Sequence, residues 1–201
     1  MNHLAHLVLA GPDEGLRLGA FLGDHIKGRL ALDALPVSWA EGVRLHRCID
    51  SLSDSRPQVR DFIAGLDAPW RRYGGIFLDV LFDHMLARHW SDFGPCALPV
   101  FAEQIDVMLE RHNGRLPPRL RRFIRWARQR YLWSSYGDRA TIGAIFQGLA
   151  WRHGRPSPLA RGLEVLDAHE VDIEKLFLEV FPEVRARTAG WRDGYSSMSS
   201  M

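Results

Sequence analysis

Lysine is nearly absent from this chain of 201 residues, since Lys27 and Lys175 are the only two lysines among 26 basic residues. The others are arginines, whose planar guanidinium group fits carboxylates and phosphates. The excess of arginine over lysine therefore suggests anionic binding partners, although genomic composition explains it equally well. The net charge of only +2 argues against a general nucleic-acid-binding protein.

Cysteine is also scarce, and long apolar runs are missing. Cys48 and Cys96 do not form a CxxC pair and cannot make a disulfide framework, so a reducing cytoplasm is expected. No apolar run approaches the roughly 20 residues that cross a bilayer. The apolar start, MNHLAHLVLA, lacks the basic residues of a signal peptide. We therefore expect a cytoplasmic protein without a transmembrane segment.

Strand-like alternation is scarce, whereas helical spacing runs through most of the chain. The sequence therefore predicts an all-α, single-domain helical bundle over residues 1–189, and a polar, disordered tail over residues 190–201. Prolines and capping residues divide the bundle. The predicted helices span about 2–10, 16–32, 38–53, a short segment from 57, 70–90, 99–108, 119–133, 138–151, and a long segment from 158 that bends near 170.

Polar residues interrupt the core of one predicted helix, LDVLFDHMLARHW. On a helical wheel its apolar stripe comprises Leu78, Leu81, Phe82, Met85 and Leu86, with His89 inside it. Asp79 and Asp83 are four residues apart and share a face beside this stripe, where two carboxylates repel each other unless a cation lies between them. Alternatively, the two aspartates bind no cation, and either the helix dipole or pairing with nearby arginines stabilises them.

The segment GVRLHRCIDSLSD repeats this arrangement. His46 and Asp50 share one face, four residues apart, which makes a good two-ligand half of a metal site. A local hydrogen bond between the two is the alternative. His6 and Asp24 are further polar insertions in apolar segments. A single metal site would account for these polar residues on four predicted helices. Without a shared metal, each residue would need a separate partner.

Histidine and carboxylate ligands without cysteine favour Mn²⁺, Fe²⁺, Mg²⁺ or Zn²⁺ over structural zinc. A metal in such a site activates water and orients phosphate, so the expected chemistry is hydrolysis of a phosphate ester. The di-iron pattern of helical bundles is absent, as are the P-loop, the dinucleotide fingerprint and the nucleophile elbow. Cys48 is a weak candidate nucleophile, because it does not share the face of His46.

A basic amphipathic helix is predicted from PPRLRRFIRWARQRY. Arg121, Arg122, Arg125 and Arg128 cluster opposite an apolar stripe. Such a face suits an acidic protein, an anionic membrane or a nucleic acid, or it is simply solvated. The balanced overall charge favours one acidic protein partner, because complementary charge speeds and orients docking.

Taken in order, the motifs MNHLAHLVLA, GAFLGDHIKG, GVRLHRCIDSLSDSRPQVR, LDVLFDHMLARHW and LDAHEVDIEKLFLEVFP resemble the bacterial acyl-carrier-protein phosphodiesterase family, over residues 1–187. The resemblance implies a fold related to the HD phosphohydrolases. It also implies Mn²⁺-dependent removal of 4′-phosphopantetheine from holo acyl carrier protein, which is an acidic protein. The oligomeric state is left open.

The resemblance also implies roles for individual residues. The implied metal ligands are Asp24, His46, Asp50, Asp79 and Asp83. Asp24, His6 and His84 are the candidate catalytic residues, with the two histidines protonating the leaving serine oxygen or steering phosphate. Arg47 and His89 are candidates for phosphate contact, although the position of His89 in the apolar stripe favours a structural role.

Two positions depart from the family pattern. His3 stands where a large apolar residue is expected, and Cys48 stands where a basic or polar residue is expected, which puts substrate preference in doubt. Two other functions compete with the first. One is an HD-type hydrolase of nucleotides or small phosphodiesters, which shares the metal site but needs no acidic partner. The other is a non-catalytic helical binding protein, which requires an arginine partner for each of Asp24, Asp50 and Asp83.

Overall fold

The computed structural model describes the backbone of residues 1–199 and the side chains of residues 1–191, and this part of the chain is helical without any strand. The all-α prediction is thus confirmed. The helices are α1 (His3–Leu9), α2 (Glu14–Leu22), α3 (Arg29–Asp33), α4 (Val37–Asp54), α5 (Pro57–Gly65), α6 (Ala68–Arg71), α7 (Gly74–Arg88), α8 (Trp90–Phe93), α9 (Leu98–His112), α10 (Pro118–Gln129), α11 (Leu132–Ser135), α12 (Arg139–His153) and α13 (Gly162–Ser199). Within the described range, no helix is both long and apolar enough to cross a bilayer.

The helix predicted over residues 16–32 is broken into α2 and α3. A 3₁₀ turn, Gly23–His25, follows α2, and Gly28 has a positive φ of 78° before α3 begins. Glycine adopts this conformation readily because it has no Cβ. The break takes the polar residues of this segment out of the helix and leaves them on a loop.

Two further long predicted helices are also interrupted in the structure. The predicted helix 70–90 is divided into α6, α7 and α8, and His89 lies between the last two with non-helical angles (φ −99°, ψ 25°). The predicted helix 119–133 ends at Gln129, where Tyr131 takes a left-handed conformation (φ 50°) and starts α11.

The C-terminal helix α13 bends close to the predicted place. His169 has non-helical angles (φ −133°, ψ 19°), one residue before Glu170. The tail predicted from residue 190 does not begin at a helix end, because α13 continues to Ser199. The last two residues of that predicted tail lie outside the described residues.

Helix α7 lies in the core and packs against α1, α12 and α13. Its ring pairs reach two of these helices, with Phe77 against Phe146 of α12 (5.6 Å between centroids) and Phe82 against Phe177 of α13 (5.8 Å). Phe177 also stacks on Phe181 at 5.0 Å. Tilted and edge-to-face pairs of this kind add to the apolar burial, and they fix how α7 is rotated.

Helices α2 and α4 approach each other so closely that their backbones touch. An added Cβ on Gly19 would overlap the carbonyl oxygen of Trp39 and lie 2.7 Å from the Cα of Gly42. An added Cβ on Gly42 would in turn overlap the carbonyl oxygen of Leu16. Only glycine permits this approach at both positions, so the pair sets the distance between the two helices.

Replacing Gly19 with alanine is expected to lower the free energy of unfolding by about 3 kcal/mol or more, because rigid backbone atoms occupy the space of the new methyl group. Denaturant titration followed by circular dichroism measures this. Gly148→Ala in α12 is the matched control, since its Cβ would meet no atom within 4 Å. The control is expected to be neutral or stabilising by up to about 1 kcal/mol. Equal stability of the two variants would contradict the close-packing account.

Candidate metal centre

Five of the residues singled out in the sequence come together at one end of the bundle. His6 is on α1, Asp24 is in the 3₁₀ turn after α2, His46 and Asp50 are on α4, and Asp79 is on α7. His6 and His46 are buried, whereas the Asp24 side chain is 63% exposed. The cluster therefore has a buried imidazole side and an open carboxylate side.

His46 is oriented by a hydrogen bond to a neighbouring helix. Its Nδ1 lies 2.8 Å from the carbonyl oxygen of Ala20, which can only accept, so Nδ1 carries the proton. The other ring nitrogen, Nε2, then faces Asp50 Oδ2 at 3.1 Å and Asp24 Oδ1 at 3.5 Å. This arrangement, with one nitrogen bonded to a carbonyl and the other free, is the usual one for a histidine that binds a metal.

The His46 ring is closely packed by two neighbours. The His6 ring stacks on one face, with 3.8 Å between centroids and 17° between planes. Gly23 lies against the ring as well, because an added Cβ at this position would overlap it. The imidazole therefore has little freedom to rotate, and its free nitrogen is held in one direction.

Asp50 lies between the two histidines. Its Oδ1 is 3.0 Å from Nε2 of His6, and its Oδ2 is 3.1 Å from Nε2 of His46. Despite the short distance, Oδ1 lacks the geometry of a hydrogen bond to any described residue, as does the buried Nδ1 of His6. One ligand atom from each of His6, His46 and Asp50 lies within 4.8 Å of the others. Such convergence of nitrogen and oxygen atoms without complete hydrogen bonding fits a divalent metal ion.

The charges in the cluster support each other. The hydrogen bond with His46 is the main cause that holds the pKa of Asp24 well below its usual range. Burial would raise the pKa of Asp50, but His46 and His6 lower it far more. Burial lowers the pKa of His46 while Asp24 and Asp50 raise it, with a net rise to about 9. Burial, and then His46, lower the pKa of His6 to about 4. Without a metal the site therefore holds two carboxylates, a neutral His6 and a protonated His46, whose Nε2 proton a bound cation would replace.

Asp79 contacts the cluster through the α-ammonium group of Met1. This nitrogen lies 2.6 Å from Asp79 Oδ1 and 3.5 Å from Asp50 Oδ1. Burial lowers the pKa of the ammonium group, but Asp79 and Asp50 raise it to about 11. Asp79 is therefore at the edge of the cluster as one half of an ion pair.

Asp83 bonds to the start of α1 and not to the residues of the cluster, although it shares a helix face with Asp79. Its two oxygens accept hydrogen bonds from the backbone N–H groups of Leu4 (2.6 Å) and Ala5 (3.1 Å), in the first turn of α1. A carboxylate here caps the helix and complements its dipole. Asp83 therefore attaches α7 to the start of α1. The geometry does not support its predicted role as a metal ligand.

The other predicted site residues are engaged elsewhere. His84 is buried, and its Nδ1 is 2.8 Å from the carbonyl oxygen of Tyr136. Arg47 donates from Nη2 to the carbonyl oxygen of Ile26 at 3.0 Å. His89 is 2.6 Å from Glu174 on α13. These contacts do not place the three side chains in the cluster, and their catalytic or phosphate-binding roles stay predictions.

His3 fills the position where an apolar residue was expected. Its ring lies among Phe21 (5.3 Å), Phe123 (5.0 Å) and Trp133 (6.3 Å). Burial lowers the pKa of His3 to about 3, so the imidazole is neutral near pH 7 and packs as an aromatic ring. The departure from the family pattern is therefore compatible with an apolar environment.

The arginines of α10 form an exposed face, as predicted. Arg121, Arg122 and Arg125 are exposed, and Arg128 makes a loose ion pair with Glu110 at 3.4 Å. Their role in partner binding stays a prediction. In the ion pairs of the described side chains, Asp24 and Asp50 pair with histidines and the N-terminus and not with arginine. The non-catalytic hypothesis required arginine partners and finds no support here.

Some contributors to the site could not be identified from residue spacing. The Met1 ammonium group and the orienting carbonyl of Ala20 are backbone groups, and backbone groups carry no residue-type signal. Gly23 is visible in the sequence, but its contact with His46 depends on a helix break that periodicity did not indicate.

Comparison with known proteins gives one consistent result. The sequence profile of the family described as "Acyl carrier protein phosphodiesterase" matches residues 1–184. A protein of that name from Yersinia pestis is 33% identical over 188 residues, covering 90% of this chain and 94% of its own. One from Serratia proteamaculans is 34% identical over 190 residues (92% and 95%), and one from Escherichia coli O157:H7 is 34% identical over 194 residues (94% and 98%). No solved structure is significantly similar.

Asp83 is expected to make stability depend on pH. Burial raises its pKa from 3.8 to about 7, although the N–H groups of Leu4 and Ala5 lower it in part. Between these two values the unfolded chain releases a proton that the folded protein keeps, so stability contributed by protonated Asp83 is lost as pH rises. Relative to Asp83→Asn, the wild type should lose a few kcal/mol of unfolding free energy between pH 4.5 and 7.5, at about 1.4 kcal/mol per pKa unit.

Urea titrations of metal-free protein at several pH values measure this difference. Asp83→Ala serves as the control, because neither replacement ionises and the two variants should keep a constant difference. A difference between wild type and Asp83→Asn that does not change with pH would refute the raised pKa.

Proposed function

The chain belongs to the acyl carrier protein phosphodiesterase family, and on that premise we propose that it is a metal-dependent phosphodiesterase that removes 4′-phosphopantetheine from holo acyl carrier protein. The observation that carries the proposal is the convergence of His6, His46 and Asp50, with Asp24 on the open side. Buried clusters of this type suit metal-assisted hydrolysis of phosphate esters.

In this proposal His46, Asp50 and Asp24 hold the metal, with His6 as a fourth ligand and Asp79 at the edge. Mn²⁺ is the first choice, because the donors are imidazole and carboxylate without thiolate, and Fe²⁺, Mg²⁺ and Zn²⁺ are the alternatives. When bound, the cation supplies Lewis-acid activation of water and of the phosphate. Asp83 is left out of the ligand set, because its oxygens cap α1.

The reaction exchanges one bond at phosphorus. The oxygen of water bonds to phosphorus, the bond from phosphorus to the serine oxygen of the carrier breaks, and a proton from water ends on that serine. Asp24 is ionised and exposed, so it is placed to accept a hydrogen bond from the attacking water and orient it.

The protein partner in this proposal is holo acyl carrier protein, which is acidic as a class. The exposed Arg121, Arg122 and Arg125 of α10 supply a complementary positive surface for docking. Two cysteines without a disulfide fit the reducing cytoplasm, where we propose that the reaction takes place.

Incubation of holo acyl carrier protein with this enzyme and Mn²⁺ is expected to reduce the carrier's mass by one phosphopantetheine group. Asp24→Ala should slow the release by at least about 100-fold, because the proposed ligand that meets the water is lost. Asp61→Ala, at an exposed carboxylate on α5, is the control and should retain wild-type activity. Intact-mass spectrometry of the carrier measures each rate.

The two competing functions give different results in this assay. Hydrolysis of small phosphodiesters, with no loss from the carrier, would support the small-substrate hydrolase and refute the proposed partner. No turnover of either substrate by folded protein loaded with metal would refute the phosphodiesterase proposal.

Metal binding is tested separately, in the absence of substrate. Replacing His46 with alanine is expected to weaken Mn²⁺ binding by at least about 100-fold, because it removes a central ligand. His153→Ala is the control, since this exposed histidine contacts Tyr73 away from the cluster. Electron paramagnetic resonance of free Mn²⁺ gives both affinities, and unchanged binding by His46→Ala would rule out the assigned ligand set.

A further inference from the structure

A cavity of about 240 Å³ lies at the C-terminal end of α1. Residues of α1, α2, α8 and α13, and of the loops after α1 and α8, line it. None of the five residues of the candidate metal centre is among the described residues of this lining. The ring of His6 points back along α1, with Nε2 3.0 Å from the carbonyl oxygen of Met1. The cavity is therefore separate from the metal centre, and the proposed reaction does not use it.

The inner wall of the cavity is apolar. Leu9 of α1 and Phe181 of α13 are buried there, and Phe93 of α8 packs on Phe181 with 5.0 Å between ring centroids. Val8 adds a half-buried side chain to the same wall. An apolar ligand group that fills this space would leave water and gain dispersion contacts with these side chains.

Arg17 of α2 brings a positive charge to the cavity and is held in place by two contacts. Its Nε donates a hydrogen bond to the carbonyl oxygen of Gly11, and its guanidinium carbon lies 5.1 Å from the centroid of the Phe101 ring. The two Nη atoms make no hydrogen bond to a described residue, yet they are not buried polar atoms without a partner. They are therefore accessible and free to bind a ligand.

Arg185 of α13 adds a second positive charge to the lining. It lies four residues after Phe181, so the two side chains share a helix face, with Phe181 buried and Arg185 exposed. The guanidinium carbon of Arg185 is 6.0 Å from the centroid of the Phe93 ring, and its Nη1 is 3.4 Å from the carbonyl oxygen of Asp92. Helix α13 thus presents a cation at the outer edge of the apolar wall.

Neither of these two arginines forms an ion pair with an acid among the described side chains. Nearby charges on the same helices are paired, since Arg56 binds Glu183 of α13, and Glu14 of α2 binds Arg111 and His112. Two cations that line one cavity repel each other unless an anion lies between them. The lining therefore favours a ligand that is anionic at one end and apolar at the other.

We propose that this cavity binds a small carboxylate with a short, unbranched apolar chain. The carboxylate lies between Arg17 and Arg185, whose planar guanidinium groups match its two oxygens, and the chain packs against Leu9, Phe93 and Phe181. At about 30 Å³ for each water-sized group, the 240 Å³ cavity holds roughly eight non-hydrogen atoms, which is the size of hexanoate. Inorganic phosphate would leave the apolar wall unfilled.

An NMR titration of the full-length, ¹⁵N-labelled protein with hexanoate, in the presence of Mg²⁺, tests the proposal. The backbone amide signals of Leu9, Gly11 and Arg185 are expected to shift, whereas those of His46 and Asp50 are not. The dissociation constant should be about 1 mM or lower, which needs only about a third of the highest binding energy per atom known for small ligands. Shifts confined to His46 and Asp50 would place the carboxylate at the metal centre and overturn the proposal.

The length of the ligand chain tests the apolar wall. From butyrate to hexanoate the affinity should rise about fourfold with each methylene group, because each one leaves water. Octanoate should gain little over hexanoate, because the cavity is then full. Affinity that does not depend on chain length would contradict the assigned position of the chain.

Substitution of the arginines tests the anionic end. Arg17→Gln and Arg185→Gln should each weaken hexanoate binding by at least about 10-fold, because a charge-assisted hydrogen bond is lost. Arg187→Gln, at an exposed position on the same helix as Arg185 and outside the lining, is the control and should bind as wild type does. Thermal unfolding shows whether each variant is folded, and the exposed Arg185 decides the test if Arg17→Gln does not fold.

The remaining outcomes are equally decisive. No saturable binding of hexanoate by wild type, or wild-type affinity in Arg185→Gln, would overturn the proposal. Tighter binding of N-acetylleucine than of hexanoate would assign the cavity to a peptide C-terminus instead. None of these measurements uses phosphodiester hydrolysis, so this inference and the proposed function fail independently of each other.

Discussion

The contact between the backbones of α2 and α4 is the constraint on which the site depends. Gly19 and Gly42 allow the two helices to touch, with 2.7 Å between the Cα of one and the position of a Cβ on the other. At this separation the carbonyl of Ala20, next to Gly19, reaches Nδ1 of His46. The same contact carries the turn with Asp24 to the free nitrogen of that ring. The packing of α2 against α4 therefore also determines the orientation of the His46 ring relative to Asp24.

Two kinds of buried carboxylate serve different purposes at this end of the bundle. Asp50 is ionised because imidazoles surround it, and its remaining bonding capacity faces the cluster. Both oxygens of Asp83 accept hydrogen bonds from N–H groups of α1, and burial raises its pKa to about 7. The second arrangement fixes the helix that carries His6. One acid thus acts in the cluster, and the other holds the framework on which the cluster is built.

Much of the fold and part of the site were predictable from periodicity, and the failures have physical causes. Spacing of four residues correctly joined His46 to Asp50, because both lie within one unbroken helix. The same spacing could not separate Asp79 from Asp83, since a wheel gives the angle of a side chain but not the element that it meets. Asp24 was assigned to a helix that glycines in fact interrupt, and glycine is a weak signal when apolar residues flank it on both sides.

The different surroundings of the ligands bear on how this site can evolve or be redesigned. His46 packs against both Gly23 and the ring of His6, so a replacement there needs matching changes on two other helical segments. Asp24 stands on an exposed turn that no helix ladder constrains, and a different donor there leaves the packing intact. For the proposed metal site, substitutions that alter metal preference are therefore expected to be tolerated at the turn more readily than on the imidazole side.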